Sequence, residues 1–401
     1  WTWSAWIKKS LPDGADLGVF GLYEDGNNYF RIRYRSDQRL QVDNVEGSTT
    51  TMNLILGTEH RDVSGWYHLV VKYDSAQSTA SNRVKIYVNG VLQTVFQSST
   101  YPSQNANTYF PVNALPLNVG RTTNNQYFDG SMSHIHFTDG YAYDASAFGS
   151  TDSTTGEWKI NTSPSVTYGT NGFFILKDNG AKTDQSGNSN NFSEEGTPGI
   201  VSNTQDSPSN VFATWNPLEQ ANNNFSYANG NTYSNISFAS GYNYVTSTLG
   251  AATGKYYCEM KANTSSGSTD KWVFGIATHP SLNADADYLG KDIDAWGYKG
   301  VDGELYNNSS NSSWGGSYGA GDIVGVAMDL DNNRLFFSVN GVWQNSADPT
   351  SSTGAISIIA PSTGFYHFAW GDLDAGYGHT MYANFGNGYF GTTAVASAGT
   401  N

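Results

Sequence analysis

Val84-Lys85-Ile86-Tyr87-Val88-Asn89-Gly90-Val91-Leu92 and, much later in the chain, Arg334-Leu335-Phe336-Phe337-Ser338-Val339-Asn340-Gly341-Val342-Trp343 spell nearly the same β-hairpin. In both, apolar side chains alternate with others and run straight into Asn-Gly. Alternation with period two marks a strand with one buried face. Asn-Gly supplies the two residues of positive φ that a type I′ turn requires. Each hairpin also follows a further strand pattern, Trp66–Tyr73 in one case and Asp322–Asp329 in the other. The reading is an all-β chain of two tandem antiparallel β-sandwich domains.

Composition agrees. The 401 residues allow two cores of ordinary domain size. Hydrophobic content is only 38%, yet aromatics reach 14%, so the apolar volume sits largely in Tyr, Phe and Trp. With 44 Gly and much Asn, Ser and Thr, this is the composition of short strands joined by turns. No long helical period is present; a short helical turn is expected near 144–148. A net charge of −15 disfavours nucleic acid and anionic membrane surfaces as partners. No stretch has the length and apolarity of a membrane-spanning helix. Cys258, the one cysteine, precludes an intrachain disulfide and sits in a strand pattern as a small buried hydrophobe. The chain opens mid-pattern on Trp1-Thr2-Trp3-Ser4-Ala5-Trp6-Ile7 without Met, and we expect it to be a piece of a longer polypeptide.

The expected organisation is a first domain over 1–200, a linker over 201–224 lying against the domains, a second domain over 225–390, and a polar tail over 391–401. Phe212, Trp215 and Leu218 are the apolar residues of that linker. Within the first domain, Tyr168–Leu176 reads as a closing strand.

Two families come into view on particular residues. Trp3–Lys8, Gly65–Tyr73, Val84–Val91, Phe128–Phe137 and Asp184-Gln185-Ser186-Gly187-Asn188-Ser189-Asn190-Asn191-Phe192 resemble a concanavalin A-like jelly roll of the laminin G type. Lys255–Met260, Val273–Ala277, Gly321–Leu330, the Asn340-Gly341 hairpin and Ala383–Gly386 resemble a SPRY domain, also a bent β-sandwich. The pairing of the two, with Asp139–Asp144 and Thr151–Trp158, is similar to long virion proteins of aquatic bacteriophages. That resemblance implies a non-catalytic adhesion region of a tail fibre or other virion appendage, at the particle surface, with a host-surface glycan or receptor and other virion proteins as partners. It would also account for the lack of disulfides, since virions assemble in a reducing cytosol. A purely structural virion protein–protein module is the rival reading. Phage fibres commonly trimerise; no heptads are present here, so a homotrimer of the full-length protein would form through sandwich faces or other chain, and this piece is expected to be monomeric or weakly associated.

Concanavalin A-like folds also house glucanases, so the hydrolase reading needs carboxylates in register. The nine glutamates include no Glu-x-Asp-x-x-Glu, and no His-Glu-x-x-His is present. His134 and His136 alternate on one strand but lack a carboxylate or cysteine companion, and ordinary histidines are the better reading. The laminin G resemblance implies a Ca²⁺ ion at the sandwich rim, for which Asp129, Asp139 and Asp184 are the candidates; turn capping by the same side chains is the competing reading. Asp285, Asp287, Asp292 and Asp294 lack EF-hand spacing and read as a solvated loop. For ligand recognition, Trp296, Tyr298, Trp314 and Tyr318 alternate with Gly, Asn and Ser in the second domain. Asp294 and Asn311 are their polar partners. Each aromatic taken singly fits a core position equally well.

Overall fold

The computed structural model describes residues 1–10, 14–110, 115–123, 125–177, 180–195, 204–221, 224–237, 242–267, 270–279, 288–373, 376–391 and 393–395. Among these, helix is confined to Ala80–Arg83 and the single turns Ala145–Ala147 and Gln344–Ser346. The chain divides into two compact units: Trp1–Asn203 with Ser207–Val211, and Thr204–Asp206 with Phe212–Asn401. Each is an antiparallel sandwich.

In the first unit, one six-stranded sheet runs in the order Phe173–Ile175, Gly130–Thr138, Thr2–Lys9, Tyr67–Tyr73, Val84–Val88, Val91–Leu92. Facing it is a second six-stranded sheet, in the order Leu117–Val119, Leu17–Asp25, Asn28–Tyr34, Arg39–Glu46, Thr49–Glu59, Phe96–Thr100. Trp3, Ile7, Phe20, Phe30, Ile32, Val42, Leu54, Leu69, Ile86 and Phe137 fill the space between. Alternation is clean on Asn28–Tyr34, where Phe30, Ile32 and Tyr34 are buried while Tyr29, Arg31 and Arg33 are not.

In the second unit the sheets hold seven and eight strands. The seven-stranded sheet runs Trp215–Ala221, Asn243–Ala251, Tyr366–Asp372, Trp272–Ala277, Ala295–Lys299, Glu304–Asn307, Ser310–Ser313. The other runs Phe225–Ala228, Tyr233–Ile236, His379–Asn384, Lys255–Ser265, Ile323–Asp329, Arg334–Val339, Val342–Trp343, with Ile356–Ser357 beside Arg334–Val339. Its core is aromatic: Trp215, Trp272, Phe274, Tyr298, Phe337, Tyr366 and Trp370.

Two expectations need correction. Part of the stretch expected as linker is an edge strand: Trp215–Ala221 pairs with Asn243–Ala251, and Trp215 is wholly buried against Phe385. Pro217 masked the strand in the sequence; an edge position and the register shift between Trp215 and Gln220 accommodate it. Tyr168–Leu176 forms a strand only over Phe173–Ile175. The tail begins with a small hairpin, Tyr389–Phe390 with Thr393–Ala394, and 396–401 fall outside the described residues.

Both Asn-Gly turns have the expected type I′ conformation, with φ of 48° and 78° at Asn89-Gly90 and 49° and 80° at Asn340-Gly341. Each Asn also closes a pair of bonds with the neighbouring strand. Asn89 N donates to His68 O at 2.9 Å while its Oδ1 accepts from His68 N at 2.8 Å. Asn340 does the same with Ile323, at 2.8 and 3.0 Å. The side-chain amide thus adds a rung to the ladder just where the hairpin leaves the sheet. Asn340→Gly keeps the turn and loses the side-chain bond, and should cost about 1 kcal/mol; Asn340→Ala also forces alanine into positive φ and should cost about 2 kcal/mol. Urea unfolding of the two variants checks the order.

Candidate functional site

The aromatics expected to bind ligand are core residues. Trp296, Tyr298 and Tyr318 are 4%, 0% and 3% exposed. Trp314 packs edge-on against Tyr298 and Phe337, with ring centroids 5.3 and 5.6 Å apart. The Tyr318 hydroxyl donates to Tyr298 O at 2.7 Å, and that of Tyr298 donates to Gly316 O. The missed signal was the alternation itself: Trp296-Gly297-Tyr298 is a strand with both rings on its inner face. Asp294 is buried and accepts from Thr278 Oγ1 at 3.1 Å and from the Ser362 amide at 3.2 Å, tying two loops together. Burial pushes its carboxyl up, but the bonds from Ser362 and Thr278 outweigh this and hold it below the usual carboxylate range. Asn311 lies on the fully exposed edge strand Ser310–Ser313. Trp296, Tyr298 and Tyr318 therefore offer no stacking surface, Trp314 is half-buried with its ring packed against the core, and Asp285 and Asp287 fall outside the described residues.

Asp184 has another employment than calcium. Its Oδ1 accepts from the Phe174 and Ser186 amides, both at 2.9 Å, and its Oδ2 from Ser186 Oγ at 2.8 Å and the Asn190 amide at 2.9 Å. Asn188 Nδ2 donates to Gly169 O and Gly172 O at 2.7 and 2.9 Å; Asn190 Nδ2 donates to Thr170 O and Gly172 O at 3.1 and 2.9 Å. The Asp-x-Ser-Gly-Asn segment is thus a clasp around the loop before Phe173–Ile175. Asp139 holds the same loop from its other side, accepting from Asn171 N and Nδ2 at 3.1 and 2.8 Å. Asp129 is a third, separate carboxyl, pushed up by burial. Among the described residues no group of three or more His, Cys, Asp and Glu side chains could hold a metal.

Three arrangements have the outline of hydrolytic chemistry. Ser4 Oγ lies 2.9 Å from His68 Nε2, but His68 Nδ1 accepts from Trp158 Nε1 at 2.9 Å. That bond places the imidazole proton on Nε2, so His68 cannot take one from Ser4. Ser265, His379 and Asp372 stand in relay order, at 3.3 and 3.4 Å, but the His379 side chain is fully enclosed and presents nothing to a leaving group. Gly315-Gly316-Ser317-Tyr318-Gly319 has nucleophile-elbow spacing. It lies between strands, on an open cavity of about 480 Å³ lined also by Asp270, Val301 and Asp322, not in the strand-to-helix turn that such an elbow requires. His134 and His136 belong to the packing: His136 stacks on Phe174 at 3.9 Å and bonds the Tyr168 hydroxyl at 2.9 Å.

The surface with convergent polar groups is the outer face of the first unit's second sheet. Pairing register aligns Asn118, Gly21, Arg31, Asp43, Asn53 and Thr100 in one row across all six strands. Arg31 grips Asp43 through Nε and Nη2, at 2.9 and 2.8 Å. In the next row Arg33 Nε donates to Gln41 Oε1 at 3.0 Å, and Gln41 Nε2 donates to Asn53 Oδ1 at 2.7 Å. Asp16 pairs with Arg33 and accepts from Gln126 Nε2 at 3.0 Å. On the other side of the main row stand Tyr23 and Tyr29, stacked 6.3 Å apart, with the Arg31 guanidinium 4.3 Å from the Tyr29 ring. Gly21 lies beside Arg31 because a Cβ there would come within 2.7 Å of Phe30 O and 3.2 Å of Arg31. The result is a pre-organised sheet of donors and acceptors with a tyrosine border and a dip at Gly21. Sequence spacing could not show it, because the row joins residues from Gly21 to Asn118 through sheet register.

Residues 1–146 match the family model described as the concanavalin A-like lectin/glucanases superfamily, in its laminin G form, and residues 255–352 match that of the SPRY domain. The chain carries a concanavalin A-like domain followed by a SPRY domain. Similar solved structures include the SPRY domain of human HERC1, with 15% identity over 42% of this chain and 96% of that one at a TM-score of 0.35. A second human SPRY domain has 18% identity over 41% of this chain and 96% of that one, at 0.31. No curated protein matches the chain. Domains of both kinds are generally binding modules rather than catalysts.

The buried histidines of the concanavalin A-like domain make an acid prediction. Burial lowers the pKa of His68 to about 3; burial and then Lys9 lower that of His60 to about 4. Both titrate near 6.5 in the unfolded chain, so between pH 6.5 and 4 the unfolded state binds protons that the folded state refuses. Stability should fall across that window by about 5 kcal/mol in total. Urea unfolding followed from pH 7 to pH 4 checks it, and His68→Gln should flatten the slope.

Proposed function

We propose that this chain is a non-catalytic adhesion region of a phage tail fibre or related virion appendage, displayed at the particle surface, that binds a host-surface glycan. The observation that carries the reading is the polar row Asn118–Gly21–Arg31–Asp43–Asn53–Thr100 with its tyrosine border. Sugars present vicinal hydroxyls and an apolar C–H face. Amide, hydroxyl and guanidinium groups at strand spacing suit the first, with Asp43 buried beneath to hold Arg31 in place, and Tyr23 and Tyr29 suit the second. The row keeps its charges paired, so it favours an uncharged glycan over a polyanion. Single-site sugar binding is weak, and trimerisation of the full-length protein would raise it by avidity.

A glycan array of host-envelope and neutral oligosaccharides, probed with the whole chain, tests the proposal. Binding is expected, and a Tyr23→Ala/Tyr29→Ala variant should lose about 1–3 kcal/mol of it. Absence of binding to any glycan, or binding untouched in that variant, would contradict the proposal and leave the structural virion role. Release of reducing sugar from a bound glycan would contradict the non-catalytic part.

A further inference from the structure

We infer that the SPRY domain carries a separate carbohydrate site, for a neutral hexopyranose, in an aromatic corner on the outer face of its eight-stranded sheet. Pairing register places Asn384, Glu259, Gly325, Ser338 and Trp343 in one row across five strands. The adjoining row brings Tyr257, Ala327 and Phe336 alongside. Tyr257 and Trp343 meet at 63° with ring centroids 6.2 Å apart, one forming a floor and the other a wall. Phe336 lies beneath, edge-on to Trp343 at 6.5 Å and almost fully covered. Tyr257 is 37% exposed and Trp343 is partly exposed, so the corner opens to solvent.

Gly325 makes the corner possible. A Cβ at this position would overlap the Ser338 hydroxyl and lie 2.6 Å from the Tyr257 hydroxyl oxygen, so both side chains fold in over the bare backbone. The Tyr257 hydroxyl donates to Glu259 Oε1 at 3.2 Å, and Asn384 Nδ2 donates to Glu259 Oε2 at 3.3 Å. A carboxylate accepts about four hydrogen bonds, and these two leave Glu259 capacity for a vicinal diol. Burial, and then Glu259, push the Tyr257 hydroxyl's pKa up, so it stays a donor at neutral pH.

The chemistry selects the occupant. Aromatic planes at an angle suit a ring with one C–H face and polar edges, and polar groups at one end of a floor fix its orientation. Glu259 is the only charged side chain of its row, which opposes phosphorylated or carboxylated sugars. From Glu259 to Trp343 is three strand spacings, about 14 Å, enough for one or two sugar rings laid across the strands. The site shares no residue with the face of the concanavalin A-like domain, and the two inferences stand or fall separately.

Saturation-transfer NMR on the whole chain with methyl α-glucopyranoside, methyl α-mannopyranoside and methyl β-galactopyranoside at millimolar concentration tests it. Transfer to the ring C–H protons of at least one glycoside is expected. Trp343→Ala should reduce it by at least ~5-fold. Because that variant uncovers Phe336, Glu259→Gln, which keeps the shape, serves as the second arm and should weaken transfer about 3-fold or more. Tyr23→Ala/Tyr29→Ala should leave a signal from this site in place. No transfer to any of the three, or equal transfer in wild type, Trp343→Ala and Glu259→Gln, overturns the inference. A signal lost only in the tyrosine double variant belongs to the other domain and overturns it as well.

Discussion

Side chains of a β-strand point alternately to two faces, and a sandwich spends one face of every sheet on its core. Everything else in this chain follows from that division. The large rings go inward: Trp3 and Phe137 in one domain, Trp215, Trp272, Tyr298 and Trp370 in the other. What remains for recognition is what lies on the outer faces, in rows set by strand register. Those rows hold Arg31, Asp43 and Asn53 in the concanavalin A-like domain, and Glu259, Ser338 and Trp343 in the SPRY domain.

Charge is arranged by the same rule. The chain is strongly acidic, yet four of its arginines fall within residues 31–39, on one hairpin that faces Asp16, Asp37, Asp43 and Glu59. These pairs are partly buried, and networked through Gln41 and Asn53 they fix side-chain positions on the outer face. Where ionisable groups do turn inward they are held neutral or bonded. Lys9 donates to Gln38 Oε1 at 2.7 Å and to His60 O, faces the Tyr34 ring at 4.5 Å, and has its pKa lowered to about 8 by burial.

Local features were legible in the sequence and cross-strand features were not. The Asn-Gly turns, the all-β class and the two families rest on contiguous residues, and both turns have the φ values that Asn and Gly imply. The aromatics of 296–318 misled because glycine between two rings reads equally as loop or as strand; burial decides, and burial depends on the opposing sheet. Pro217 hid an edge strand for a local reason that a bulge overrides. The Asp184 segment was recognisable as a motif, but only its hydrogen bonds show that it clasps a loop. Neither outer row could be found by spacing, since each gathers residues that meet only once sheet register is set.

A crystal structure of the whole chain soaked with the strongest oligosaccharide from a glycan array tests the central claim most directly. The account predicts sugar density lying across the strands on an outer sheet face, against Arg31, Asn53 and Tyr29. Density confined to the inter-strand loops near Asn311 or Ser317, with that face unoccupied, would contradict it.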